Sequence, residues 1–272
     1  RKGRSLRLEA HEDYWGGRPD VPTVVFQVVT DDDAMWTEAR RLAPSIVFSP
    51  TRSTWAAHRK DDGFVLVERP GLAVHFLSLR VGGGPENPLS DVRVRHALRA
   101  AIDYRKLVSV VPAEGAFPAS QFVPPAIVGF NPALSVLAYV PGEARRLLSE
   151  AGFRQKEPFR FLVAEGGGPL VKEIVDAFEG AGVRVKVEPA GPEELDRRSL
   201  ACDADLFFSG WICSTGDAGE LFEGNFSRKA SQPNPCGYGS DEMDAAIEEI
   251  GRTLDPEVRR NLLQKAMARL VE

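Results

Sequence analysis

The sequence is short of the residue types that announce a chemistry. Three cysteines, Cys202, Cys213 and Cys236, stand among 272 residues, and none forms a C-x-x-C pair. Zinc ribbons and dithiol redox motifs are excluded by that spacing. The four histidines, His11, His58, His75 and His96, are scattered, with no two at metal-ligand spacing. No apolar run approaches the roughly 20 residues of a membrane-spanning helix. The longest, at 21–29 and 64–67, are strand-sized. An excess of basic charge is missing too: the formal charge is −5, and a protein that serves nucleic acid needs a basic face for the phosphates. There is no G-x-S-x-G elbow and no protease signature. Gly166-Gly167-Gly168 lacks the Lys-Ser/Thr of a phosphate-binding loop and reads as a turn. Asp31-Asp32-Asp33 has no further ligand at calcium-site spacing and reads as a helix start or solvated loop. No catalytic residue, metal site, cofactor or nucleic acid partner is expected. The chain opens at Arg1 without a secretion leader, which reads as a processed chain or a fragment.

What is present is the balance of a globular protein able to bury a core, 43% hydrophobic and 27% charged. The length suits one large domain or two lobes. Residues 1–80 read mainly as strands. Runs at 6–9, 24–29, 45–48, 64–68 and 74–79 are apolar or alternating, split by Gly, Pro and Asp clusters. One helix, 33–42, lies among them. Residues 82–91, rich in Gly and Pro, read as a crossing between lobes. Residues 91–103 then set Val94, Ala97, Leu98, Ala101 and Ile102 on one helical face. Residues 112–138, with Pro118, Pro124, Pro125 and Pro132, form a long irregular connection, of a kind that wraps a surface or serves a function. Helix returns at 141–151, with Gly152 placed to end it. Strand (159–164), helix (170–179), strand (183–187), helix (192–199) and strand (205–209) then alternate, which predicts an α/β layer with parallel strands. Two helices close the chain, one capped by Ser240 and one opening at Asp255-Pro256-Glu257. Cys213 and Cys236 are placed to bridge across a loop if the protein is exported. Free thiols read equally well, and Cys202 is left over in both cases.

Seven segments carry a further signal. They are Glu12-Asp13-Tyr14-Trp15-Gly16-Gly17; Glu68-Arg69-Pro70-Gly71-Leu72; Pro88-Leu89-Ser90-Asp91-Val92-Arg93-Val94-Arg95-His96-Ala97-Leu98 with Ala101-Ile102-Asp103; Pro124-Pro125 with Gly129-Phe130-Asn131-Pro132; Glu143-Ala144-Arg145-Arg146-Leu147-Leu148 with Glu150-Ala151-Gly152-Phe153; Asp205 through Gly210-Trp211; and Asp255-Pro256-Glu257 with Arg259. In this order they resemble the family 5 extracellular solute-binding proteins of peptide and nickel ABC importers. The third is the most specific, being similar to the family's P-F-x-D-x-R-V-R-Q-A-L-x-x-A-I-D.

The resemblance implies an α/β, periplasmic-binding-protein-like fold of class II type. It implies a partial strand-rich first lobe at 1–79 and a complete α/β second lobe at 80–272. The implied function is not enzymatic: a monomeric solute-binding component of an ABC importer, capturing a peptide or related small solute between two lobes and docking on permease subunits. The implied place is periplasmic or otherwise extracytoplasmic, with the membrane reached only through the permease or a lipid anchor outside this chain. A ligand-sensing domain of a transcriptional or signalling regulator is the alternative on the same fold, and an α/β enzyme a third reading.

Trp211, at a strand's end, is the expected ligand wall, because open α/β sheets bind ligands beyond the carboxyl ends of their strands. Ser209, Ser214 and Asp217 are its polar companions, and Phe122 reaches in from the long connection. Family members that bind peptide amino termini place an aspartate three residues after this tryptophan. Ser214 occupies that position here and carries no charge, so Asp217, three residues on, is the substitute. Arg95, His96 and Asp103 read as packing or hydrogen-bonding residues.

Overall fold

Residues 4–42, 44–48, 52–111, 116–229 and 236–271 are described by the computed structural model. The chain divides into two units, Arg1–Glu68 and Arg69–Glu272.

In the first unit, β1 (Ser5–Glu9) runs antiparallel to β2 (Thr23–Gln27), with Leu6 opposite Phe26. α1 (Asp32–Arg41) begins at Asp31, whose carboxylate accepts the Ala34 amide at 2.7 Å. Asp32 and Asp33 in its first turn, and Arg40 and Arg41 in its last, complement the helix dipole. The aspartate triplet is thus a helix start. α2 (Arg52–His58) has no counterpart in the sequence reading. It matters to the packing, because the buried Trp36 ring stacks on His58 at 4.3 Å and is met edge-on by Phe64 at 4.6 Å. Two segments read as strands, 45–48 and 64–68, are irregular instead. A strand needs a hydrogen-bonded neighbour as well as suitable side chains, and Phe64 turns its ring onto Trp36.

The second unit starts with β3 (Ala73–Leu79), then α3 (Val92–Ala101), α4 (Tyr104–Ser109) and α5 (Pro141–Glu150). Alternation follows in β4 (Phe159–Ala164), α6 (Gly168–Gly180), β5 (Val185–Ala190), α7 (Pro192–Leu200) and β6 (Leu206–Ile212). α8 (Gly219–Phe226), α9 (Asp241–Arg252) and α10 (Pro256–Val271) come last. The sheet order is β3-β6-β4-β5, with β4 parallel to β5 and β6 and β3 antiparallel to β6. The expected parallel alternation is present, with an antiparallel strand on one edge. β3 pairs along β6 from Ala73↔Ile212 to Leu79↔Leu206 and lies in the unit that begins at Arg69, whereas the sequence expectation sets the lobe boundary at residue 79.

Side chains leave each strand alternately to two layers. On one side Phe161, Val163 and Leu206 pack with Leu98, Leu148, Ile174 and Phe178 from α3, α5 and α6. On the other, Leu162 and Phe207 meet Ala190, Leu195 and Cys202. α8, α9 and α10 share a separate core with the long connection, built on Val123, Ile127, Phe222, Met243, Leu263 and Met267. Residues 116–138 of that connection hold no helix and no strand; 112–115 lie outside the described residues.

Local signals set the helix ends. Asp91 opens α3 by accepting the Arg93 amide, and the Arg93 side chain holds its carboxyl at about 2. Asp103 accepts the Arg105 and Lys106 amides at the start of α4, and Arg95 donates to the Leu89 and Ser90 carbonyls. Ser240 accepts the Met243 amide, and Asp255 those of Glu257 and Val258, so both closing helices begin where the sequence puts them.

The cysteines pair differently from the sequence reading. Cys202 and Cys236 form a disulfide, and Cys213 is a buried free thiol. Cys213 lies in the core under the last three helices. Cys202, at φ 49° in the turn after α7, meets Cys236, whose carbonyl accepts the Val81 and Gly82 amides.

Candidate functional site

The carboxyl end of β6 collects the chemistry. β6 is flanked by β3 and β4; β4 pairs only with Leu206 and Phe207, so the carboxyl end of β6 is held by β3 alone. Antiparallel register sets Ser209 opposite Phe76 and Trp211 opposite Val74, and opposed residues share a face. Ser78 Oγ donates to Ser209 Oγ at 3.4 Å on that face. Trp211 is half-buried, leaning on the core of α8–α10. Ile212, the next residue, points to the opposite face and is 71% exposed. On the opposite face Gly210 leaves room for the His75 ring: a Cβ there would come within 2.7 Å of His75 Nδ1.

Phe122 extends the aromatic surface. Its ring meets Phe76 edge-on at 5.4 Å and Phe226 at 5.6 Å, and Phe226 meets Tyr238 at 5.5 Å. The long connection thereby joins β3 to α8 through a row of rings.

Beyond β6 the chain turns tightly through residues 213–218. Ser214 Oγ donates to Glu220 at 2.7 Å, and the Ser214 amide and both donors of Thr215 reach the same carboxylate. Those bonds, Ser214's first, hold the Glu220 carboxyl below the usual range. Ser214 is therefore engaged within the loop. Asp217 is engaged more firmly. Arg259 Nε donates to its Oδ2 at 2.8 Å and Nη2 to its Oδ1 at 2.7 Å, while the Gly219 amide also reaches Oδ1. The Asp217 charge is balanced inside the molecule by Arg259. Val128 completes the loop, donating to Gly216 and accepting from Ala218, both at 2.9 Å.

Of the expected residues, Trp211 and Ser209 lie on β6, whose neighbour Phe76 meets Phe122. Phe76, Phe226, Glu220 and Arg259, which contact the expected residues or their neighbours, were not among them. Of these, Arg259 had a signal, standing in the Asp255-Pro256-Glu257 segment without a role. Among the described residues no group of three His, Cys, Asp or Glu side chains could hold a metal ion, and no helix is long and apolar enough to cross a membrane. The Gly166–168 turn opens α6 beside a cavity of about 350 Å³ lined by Val163, Val171, Val187 and Pro189. Lys172 at its rim is bonded to Asp176, so the lining is apolar and does not suit a phosphate.

The model of the bacterial extracellular solute-binding proteins, family 5 (middle), matches residues 1–233. The chain belongs to this family. Among its curated relatives, the dipeptide-binding protein of Escherichia coli K12 is 26% identical over 238 residues, covering 85% of this chain and 44% of that protein. Di/tripeptide-binding protein 2 of Pseudomonas aeruginosa UCBPP-PA14 is 25% identical over 274 residues, 98% of this chain and 51% of its own length. Heme-binding protein A of Haemophilus influenzae is 25% identical over 271 residues, 97% and 49%. This family 5 chain thus spans about half the length of the curated relatives it matches. The same fold is found in HbpA2 from Haemophilus parasuis, with a TM-score of 0.83 at 22% identity over 100% of this chain and 54% of that one.

Proposed function

We propose that this family 5 chain is part of the solute-binding component of an ABC importer, and that its ligand is a peptide or a related small solute. The end of β6 carries the reading. Trp211 offers a large apolar wall with one N–H donor and is only half-buried, and Ser209 and Ser78 lie on the same face. Phe122 extends the wall. Ser214 and Asp217 act through the loop they stiffen, which fixes the rim of the site before a ligand arrives. Relatives named for dipeptides and for di- and tripeptides support the choice of peptide. Capture is an equilibrium step without chemistry, the loaded protein then docking as a monomer on permease subunits. The Cys202–Cys236 disulfide supports an extracytoplasmic, oxidising compartment.

A thermal-shift screen of the whole protein against di- and oligopeptides, nickel chelates, oligosaccharides and nucleotides tests this, because a ligand that binds only the folded state raises its stability. A saturable peptide hit is expected. By calorimetry, Trp211→Ala should weaken it at least about tenfold, or about 1.4 kcal/mol. A response to nucleotides alone, with turnover, rejects the reading.

A further inference from the structure

The disulfide and the free thiol together carry information about how the native chain is reached, independently of any ligand. Three thiols allow three bonds. Cys202–Cys213, Cys213–Cys236 and Cys202–Cys236 span 11, 23 and 34 residues, so the native bond closes the longest loop and encloses the unused cysteine. In an unfolded chain the chance that two thiols meet falls about as the −3/2 power of their separation. Cys202–Cys213 therefore closes about five times as often as Cys202–Cys236, and only about one first bond in eight is native by that scaling.

The folded molecule imposes the opposite choice. Cys213 is 3% exposed, packed in one core with Val123, Phe222, Met243 and Leu263, and its Sγ accepts the Gly216 amide at 3.1 Å. Cys202 belongs to a different core, beside Ala190 and Leu195. A Cys213 bonded to Cys202 would have to leave its own core or draw the turn after α7 into it. Interiors are close-packed and do not accommodate either.

We infer that the native bond forms by thiol–disulfide exchange, with Cys213 as the leaving thiol and its burial as the step that fixes the outcome. An external disulfide donor first oxidises the Cys202–Cys213 pair, taking their two electrons and two protons and becoming two thiols. The Cys236 thiolate then attacks Sγ of Cys202. The Cys202–Cys236 bond forms, the Cys202–Cys213 bond breaks, and Cys213 leaves as a thiolate that takes a proton from water and enters the core. This second step consumes no oxidant. The reaction that must act on this chain before it works is therefore oxidation followed by isomerisation, which suits a partner with a reactive dithiol or disulfide.

The test is oxidative refolding of the reduced, denatured chain in mixed reduced and oxidised glutathione. Samples are quenched with acid at successive times, alkylated and mapped by mass spectrometry. Cys202–Cys213 should outnumber Cys202–Cys236 about fivefold in the earliest samples and then give way to it, with Cys213 resistant to alkylation until the product is denatured. Cys213→Ala should reach the native bond without that lag. The early map needs only the wild-type chain, so the test survives a variant that folds poorly. Native pairing already dominant in the earliest samples overturns the inference, as does a Cys213→Ala chain whose lag is unchanged.

Discussion

Both oxygens of Asp217 are occupied by Arg259, and each side chain is about one quarter exposed. A two-point pair at that depth lies between a surface bridge and a buried one. Asp217→Asn should therefore lower stability by about 1–3 kcal/mol at neutral pH, measured by urea unfolding. The pH dependence has a definite sign. Arg259 draws the Asp217 pKa below its ordinary value, so the stability it adds is present above the unfolded aspartate value of about 3.9. It is lost as pH falls through the lower, folded value. The gap between wild type and variant should close on that acid limb. At this scale the strand that carries Trp211 and Ser209 was legible, because an apolar run bounded by turn residues reads as a strand. The partners of Asp217 and Ser214 were not: Arg259 lies 42 residues away in sequence, and Glu220 sits in a helix that the sequence reading lacks.

At the scale of elements, the backbones of Gly82 and Gly237 come together at the exit from β3. Gly237 has φ +85°, and a Cβ on it would lie 2.5 Å from the Gly82 Cα. The obstacle is main chain, which has no rotamer to yield. Gly237→Ala should cost about 2 kcal/mol or more. Gly71→Ala, where the space is open and φ is ordinary, should change stability by less than about 0.5 kcal/mol. Paired thermal melts make the comparison. The helices were legible where a side chain announces the start, as Asp91, Ser240 and Asp255 do. α8 escaped because Gly219 and Gly224 interrupt a short apolar pattern and its N-cap residue, Ala218, has no side-chain acceptor to announce the start. The segments 45–48 and 64–68 were misread because hydrophobicity alone does not supply a neighbouring strand.

For the whole molecule, the Cys202–Cys236 bond closes a loop of 34 residues. Removing it in a Cys202→Ala, Cys236→Ala double variant should lower stability by about 3–4 kcal/mol on the loop-entropy model. A reducing agent added to the wild type should reproduce most of that loss, as read from parallel denaturation curves. Cysteine spacing alone left the pairing open, since it does not report which thiols share a core. The sheet order has one more consequence. β6, the strand between β3 and β4, is the last of the four in sequence. While the ribosome moves from residue 79 to residue 206, β3 has no partner and β4 keeps a bare edge. At ordinary synthesis rates that interval lasts roughly 6–25 s, and an unpaired strand edge is a template for other chains. Over that time the fold itself offers neither edge its partner, so the edges stay unpaired until β6 is made.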